Sequence, residues 1–316
     1  MSRAIKRIIT LGLNPCWDMT CRAEALAWGT HRRVAQQQRP AGKALNVSRA
    51  LAWQTVKSVA AGLWGADDYQ AMRLQLQPLR PWVSVAMTTV PGPTRQNITV
   101  IDTTRHRELH LRADSQMATK AAMMRLRRQL ADLVRPADIV VMAGSAPSGP
   151  LNADVLSLVE DLHACGAQLV VDTSGPCLTN MVHNARLALI KPNVDEFREL
   201  IGRRTPDRAE LLIKAAQPLL DDVATVLISR AQRGALLVRH DGAYLASCRQ
   251  SRPVQTTVAC GDYLLAGYLA GYARGHTPDR ALKNAVRIAT AHAWGLSENT
   301  SWPEAGTQIP VEVETL

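Results

Sequence analysis

Short apolar runs of strand length alternate with amphipathic stretches of helical period along most of this chain, and that alternation leaves few folds open. Strand-like runs fall at 7–11, 58–62, 138–143, 168–172, 187–190, 225–229 and 235–238. Helical periodicity falls at 43–53, 67–77, 119–134, 152–165, 207–220, 261–274 and 279–294. Apolar strands separated by amphipathic helices predict an α/β fold of three layers, with helices on both faces of a mainly parallel central sheet. Segments 18–38 and 94–111 break the rhythm. Their polar-apolar alternation, clearest over 96–102, predicts half-exposed strands that pair into a small separate sheet.

Composition narrows the class. With 316 residues, 47% of them apolar, the chain can bury a substantial core, and it contains no apolar stretch of transmembrane length. The first seven residues lead straight into the strand-like 8–11, without the apolar region and cleavage site of a signal peptide, so a cytoplasmic location is the expectation. Six scattered cysteines include no C-x-x-C pair and predict reduced, mostly structural thiols. For Cys260, at a predicted helix start, a reactive thiol of lowered pKa stands beside a buried small hydrophobe. The formal charge of +10 comes from dispersed Lys and Arg; the densest group, 125–128, lies on an amphipathic helix and reads as a solvated face. No nucleic-acid partner and no membrane are therefore expected, whereas an anionic small-molecule substrate suits the charge.

In open α/β sheets, ligands bind beyond the carboxyl ends of the strands. Polar and glycine residues gather there: 14–18 after the first strand, 144–147, 172–175 and 191–196 after later ones. The run Thr257-Val258-Ala259-Cys260-Gly261-Asp262 opens a helix, whose free N–H groups and dipole suit an anion. Asp262 reads either as a base beside that anion or as a cap on the helix.

Seven motifs then occur in order: Leu13-Asn14-Pro15-Cys16-Trp17-Asp18, Ala41-Gly42-Lys43-Ala44-Leu45-Asn46-Val47, Thr94-Arg95-Gln96-Asn97, Gly144-Ser145-Ala146-Pro147-Ser148-Gly149, Asp172-Thr173-Ser174-Gly175, Lys191-Pro192-Asn193-Val194-Asp195-Glu196, and the run ending in Gly261-Asp262. In this order the chain resembles the ribokinase-like, PfkB family of carbohydrate kinases, in the branch that phosphorylates ketohexose phosphates, from about residue 8 to about residue 297. The resemblance implies a ribokinase-like α/β/α core over 1–13, 39–92 and 113–316, binding nucleotide and substrate, and a β lid over 14–38 and 93–112. It implies Asp262 as catalytic base, with the amides of Ala259, Cys260 and Gly261 holding the transferring phosphoryl group. Asp18, Gly42, Lys43, Asn46 and Asn97 would bind the sugar; Arg95, with Arg32 and Lys43 as further candidates, would clamp its phosphate. Lys191, Asn193, Ser229, Ala231 and Gly234 would lie at ATP, and Asn193 and Glu196 would act on Mg²⁺ through water. Asn193 and Glu196 also have the spacing of a capping box.

The chain departs from the family at several glycines. Ala41 occupies the first place of G-G-K, as in the fructose-1-phosphate branch; Ala44 follows Lys43; Ala231 and Ala259 stand in turns where Gly is usual, and Cys260 where Ala is usual. A Cβ at a left-handed position costs about 1–2 kcal/mol. His110-Leu111-Arg112-Ala113-Asp114 replaces a Pro-Gly turn. The resemblance thus implies ATP- and Mg²⁺-dependent phosphorylation of fructose 1-phosphate, with fructose 6-phosphate and tagatose 6-phosphate as alternatives. The glycine departures leave a catalytically weakened sugar-phosphate or nucleotide-binding protein as a further alternative. A homodimer paired through the lid is the implied assembly.

Overall fold

Strand alternation divides the core cleanly between two helical layers. In the computed structural model, which describes residues 6–316 other than His106, Gln116 and Ser148, strand β1 (Ile8–Gly12) sends Ile9 and Leu11 to one face and Ile8 to the other. All three are fully buried, as two-sided burial of a parallel strand requires. On the Ile9 face pack α3 (Lys120–Leu133), α4 (Asn152–Ala164), α5 (Gly175–Asn184), α6 (Val194–Leu200) and α7 (Ala209–Ala216). The opposite face carries α1 (Lys43–Trp53), α8 (Cys260–Ala273), α9 (Pro278–Ala293) and α11 (Trp302–Thr307), which follows the short α10 (Leu296–Asn299). A third cluster, around Trp64 and Met72, seats α2 (Tyr69–Leu76) at one end.

Ten strands form the central sheet in the order β14-β13-β12-β11-β10-β9-β8-β1-β4-β5. From β5 (Val83–Val90) through β4 (Ser58–Gly65), β1, β8 (Ile139–Ala143), β9 (Gln168–Asp172) and β10 (Leu189–Ile190) to β11 (Thr225–Ser229), every pairing is parallel. The hairpin of β12 (Ala235–Arg239) and β13 (Gly242–Cys248), with β14 (Val311–Thr315), adds an antiparallel edge. The expected mainly parallel α/β/α architecture is therefore present.

Element boundaries moved where proline intervenes. Helix α2 stops at Leu76 before Gln77-Pro78, and α7 at Ala216 before Gln217-Pro218; both continue as a turn of 3₁₀ helix. Strands β5, β13 and β14 and helices α5, α6, α10 and α11 have no sequence prediction. Helix α5 opens on Gly175-Pro176, which reads as a turn in sequence, although Pro is well suited to a first helical turn.

The interrupted segments form a four-stranded sheet of order β3-β2-β6-β7, comprising β2 (Cys16–Ala23), β3 (Ala35–Ala41), β6 (Gln96–Asp102) and β7 (Arg107–Arg112). Trp17 roots this sheet in the core by an edge contact with buried Trp64, ring centroids 5.5 Å apart. Register places Arg39, Asp18, Asn97 and Arg112 in one transverse row, hence on one face. Among the described residues no helix is long and apolar enough to cross a membrane.

Candidate active site

Beyond the carboxyl ends of β9 and β10, two ammonium groups meet one carboxylate. Lys43, first residue of α1, donates from Nζ to Asp172 Oδ1 at 3.0 Å, and Lys191 Nζ lies 3.3 Å from the same oxygen. Asp172 is wholly buried, and its Oδ2 has no hydrogen-bond partner among the described residues. One turn along α1, Asn46 Nδ2 donates to Asp262 Oδ2 at 2.8 Å, so a single helix face serves both carboxylates.

Asp262 is 4% exposed. Burial, and then the charge of Asp172, push its carboxyl up to about 7, against the opposing pull of Asn46, Lys43 and Lys191. Lys43 keeps its charge: burial opposes the ammonium, but Asp172, Asp262 and Glu196 together hold its pKa above the ordinary value. A carboxylate poised near neutrality beside two ammonium groups has the chemistry of a general base in an anion-binding site. Capping does not describe Asp262, because α8 has no side-chain cap and the carboxylate faces Asn46.

Ala259 precedes α8 in a left-handed conformation, φ 63° and ψ 1°, so the turn typical of glycine forms with alanine in place. The first hydrogen bond closing this turn runs from Tyr263 N to Ala259 O at 3.0 Å, and no described hydrogen bond uses the N–H of Ala259, Cys260, Gly261 or Asp262. Those four amides and the helix dipole favour an anion. A Cβ on Gly261 would stand 3.2 Å from Lys191 Nζ, so glycine lets that ammonium lie against the turn. The Cys260 thiol is pushed up to about 11, by burial first and then by Asp262, which corrects the reactive-thiol reading: burial outweighs the helix terminus.

On the small sheet, Asp18 Oδ1 accepts from Asn97 Nδ2 and from the Cys16 thiol, each at 3.4 Å. Arg95 is tied into the protein: Nε donates to Pro15 O at 3.2 Å, Nη2 to Asn14 O at 3.2 Å, and Nη1 to Ala113 O at 2.8 Å and Asn97 Oδ1 at 3.0 Å. With five N–H groups in a guanidinium, one remains for a ligand. Arg32 lies exposed in the connection between β2 and β3 and is not hydrogen-bonded to the cluster. Gly42 caps α1 and, with Asn14, Lys43 and Thr10, lines a cleft. Asn14 Nδ2 donates to Ser145 Oγ at 2.7 Å, while its buried Oδ1 has no hydrogen-bond partner among the described residues. Ser148 of the same motif lies outside the described residues.

The capping box forms: Asn193 Oδ1 accepts from the N–H of Asp195 and Glu196, and Glu196 Oε2 accepts from Asn193 N at 2.8 Å. Ser229, at the end of β11, is bridged to Asn193 through Ser229 N to Pro192 O at 3.0 Å. Ala231 is left-handed, φ 49°, and Gly234 follows at φ 82°. Ala231 and Ala259 thus both sit where a Cβ costs about 1–2 kcal/mol, a strain that the fold already absorbs.

Among the described residues no three His, Cys, Asp or Glu side chains converge to hold a metal directly. A hydrated Mg²⁺ asks for less, since it keeps several waters and takes one or two carboxylates. The orphaned Oδ2 of Asp172, and Glu196, whose capping bond uses only Oε2, fit that requirement.

Sequence reasoning singled out the Asp172 motif by its place after a strand but assigned the residue no role. Its pairing with Lys43 and Lys191, 129 and 19 positions away, has no local signal. Arg39 and Arg112 were likewise missed, because only strand register sets them beside Asp18 and Asn97.

The family described as pfkB family carbohydrate kinase matches residues 12–304. The tagatose-6-phosphate kinase of Staphylococcus epidermidis is 29% identical over 299 residues, covering 90% of this chain and 92% of that protein. The 1-phosphofructokinase of Rhodobacter capsulatus is 30% identical over 292 residues, covering 92% and 90%. Among solved structures, phosphofructokinase-2 from Escherichia coli in complex with fructose-6-phosphate shares the fold, with a TM-score of 0.85 at 21% identity over 97% of this chain and 98% of that one.

Proposed function

This chain belongs to the pfkB family of carbohydrate kinases, and on that premise we propose that it transfers the γ-phosphoryl group of ATP to a hydroxyl of a ketohexose phosphate, giving a bisphosphate. The observation that carries the reading is buried Asp262, held by Asn46 at the head of a helix whose first amides are free. Fructose 1-phosphate is the substrate proposed, because Ala41, fully buried at the entrance to α1, is the residue found in that branch. Fructose 6-phosphate and tagatose 6-phosphate are the alternatives.

In the reaction, Asp262 takes the proton of the acceptor hydroxyl as the phosphoryl group arrives. The amides of Ala259 to Asp262 and the ammonium groups of Lys43 and Lys191 meet the negative charge on its equatorial oxygens. Positioning and charge stabilisation are most of what phosphoryl transfer asks of a protein, and this cluster supplies both. Asp18 and Asn97 accept and donate to sugar hydroxyls. Arg112 and Arg39, flanking that pair in the same row, bring cations toward the substrate's own phosphate, alongside the remaining N–H of Arg95. Asn193, Ser229, Ala231 and Gly234 lie along the strand ends proposed to receive ATP. Asp172 and Glu196 would hold a hydrated Mg²⁺, which when bound neutralises charge on the nucleotide phosphates.

The weakened-binder alternative rests on Ala44, Ala231 and Ala259; Ala44 is buried within the first turn of α1, and the other two stand in turns. Both adopt the left-handed backbone that glycine would supply, which favours the catalytic reading. The test is ADP release measured over a panel of ketohexose phosphates with ATP and Mg²⁺. Turnover is expected to be fastest with fructose 1-phosphate; no turnover of any member at millimolar concentration overturns the proposal.

A second copy of the chain is proposed to cover the other face of the small sheet, where Ile98, Val100, Leu109 and Leu111 lie together and the two leucines are each 48% exposed. Light scattering is expected to report a dimer mass, and a monomer at micromolar concentration would remove this assembly.

A further inference from the structure

The turn after β11 is held from outside by a single acidic residue. Asp207, in the connection between α6 and α7, accepts from Arg230 Nε at Oδ1 (2.6 Å) and from Arg233 Nη1 at Oδ2 (3.2 Å). Its backbone carbonyl accepts from the same two side chains, Arg233 Nη1 at 2.9 Å and Arg230 Nη2 at 3.3 Å. Arg230 is 9% exposed, so its guanidinium depends on this carboxylate for its charge partner. Nothing in the phosphoryl-transfer chemistry uses this network.

What the network clamps is the strained part of the site. Arg230 N donates to Gly234 O at 2.8 Å, Arg233 N to Arg230 O at 2.9 Å, and Gly234 N to Ala231 O at 3.1 Å, closing a loop that contains left-handed Ala231. A Cβ on Gly234 would stand 1.9 Å from Ala246 O, so the loop has one way to return into β12. On its other side, Ser229 is bridged to Asn193 of the capping box. The loop therefore sits on the same sheet edge as Asp262, with its position set by Asp207 through two arginines. Left-handed alanine does not favour this shape by itself, and the clamp offsets that cost.

We infer that Asp207 is a positioning residue for the nucleotide: by fixing Arg230 and Arg233 it preorganises residues 229–234 to receive ATP, without touching the sugar phosphate. The inference rests on the reading of this edge as the ATP site. Because preorganisation lowers the cost of ordering on binding, its loss falls on affinity for the ligand that the loop meets.

The test compares wild type with Asp207→Asn, which keeps the shape and removes the charge, and with Arg233→Gln, a milder change at an exposed arm of the clamp. Asp207→Asn is expected to raise KM for ATP about tenfold while KM for the ketohexose phosphate changes less than about twofold; Arg233→Gln follows with a smaller change in the same direction. Thermal protection by ADP with Mg²⁺, referenced to each protein's own ligand-free midpoint, is expected to weaken in parallel, which general destabilisation would not produce. If wild type is protected by ADP and both variants are protected equally, the positioning role is wrong. If wild type itself gains no protection from ADP, the ATP-site reading falls and the inference with it.

Discussion

Asp262→Asn is expected to lower kcat by about 10²–10⁴-fold, the range a positioned general base contributes, while KM for the sugar phosphate stays within about threefold. The fold should survive, because the amide can still accept from Asn46 and the change removes a charge from a site that is 4% exposed. Stability provides the second half of the test. The folded carboxyl is raised to about 7, above its ordinary value near 4 in the unfolded chain. Between those values the native protein holds more protons than the unfolded one. Wild-type stability therefore falls as pH rises from about 4 to about 7 and levels off above, by an amount on the order of 4 kcal/mol. Asp262→Asn lacks that decline, so its midpoint relative to wild type should climb through the same window in thermal scans. Wild-type kcat/KM should fall on the acid side of about pH 7, where the base is protonated. Full turnover by the variant would assign the proton to another group.

Asp172→Asn should produce the largest loss of stability and move the acid limb of the rate profile. Asp172 is wholly buried and partners both Lys43 and the 4%-exposed Lys191. Removing one partner of a buried ion pair costs about 3–5 kcal/mol, which for a protein of this size lowers the thermal midpoint by roughly 5–8 °C. The sign of the kinetic effect follows from the same charges. Negative charge on Asp172 raises the Asp262 carboxyl, and the two ammonium groups lower it. Neutralising Asp172 removes one of the two upward influences and leaves burial alone against Asn46 and the ammonium groups, so the acid limb of kcat/KM should shift to lower pH. A destabilised variant with an unmoved acid limb would show that Asp172 holds the lysines without tuning the base.

Both effects turn on residues that sequence reasoning read unequally. Asp262, Asn46, Lys43 and Lys191 were named from motifs, each within a few positions of a turn or helix start. Their partners were another matter: Lys43 was assigned to the sugar and Lys191 to the nucleotide, whereas the structure gives both to Asp172. Arg95 shows the same limit. A strand arginine next to a polar motif suits a phosphate clamp, but three of its five N–H groups go to the carbonyls of Asn14, Pro15 and Ala113 and a fourth to Asn97. Sequence marks a cation; the number of N–H groups left for a ligand depends on which carbonyls fold against it.

The left-handed turns divide differently. That Ala231 and Ala259 stand where glycine is usual was legible from the chain. Their φ values of 49° and 63° belong to the folded chain, where Ala231 lies in the loop flanked by the Asp207-bound Arg230 and Arg233 and Ala259 stands immediately before α8.

By itself, then, the sequence determined the three-layer α/β plan, the small sheet over 96–102 and its partners, and the order of turns along one edge. These follow from periodicity of 2 and 3.6 and from residues that act on their immediate neighbours. Only the tertiary structure decided that Asp172 balances two lysines beneath Asp262, that Arg39 and Arg112 flank Asp18 and Asn97, and that Asp207 secures the turn at Ala231. Each joins residues far apart in the chain through strand register or buried charge. Electrostatic energy there depends on distance and desolvation, quantities that exist only once the chain has closed on itself.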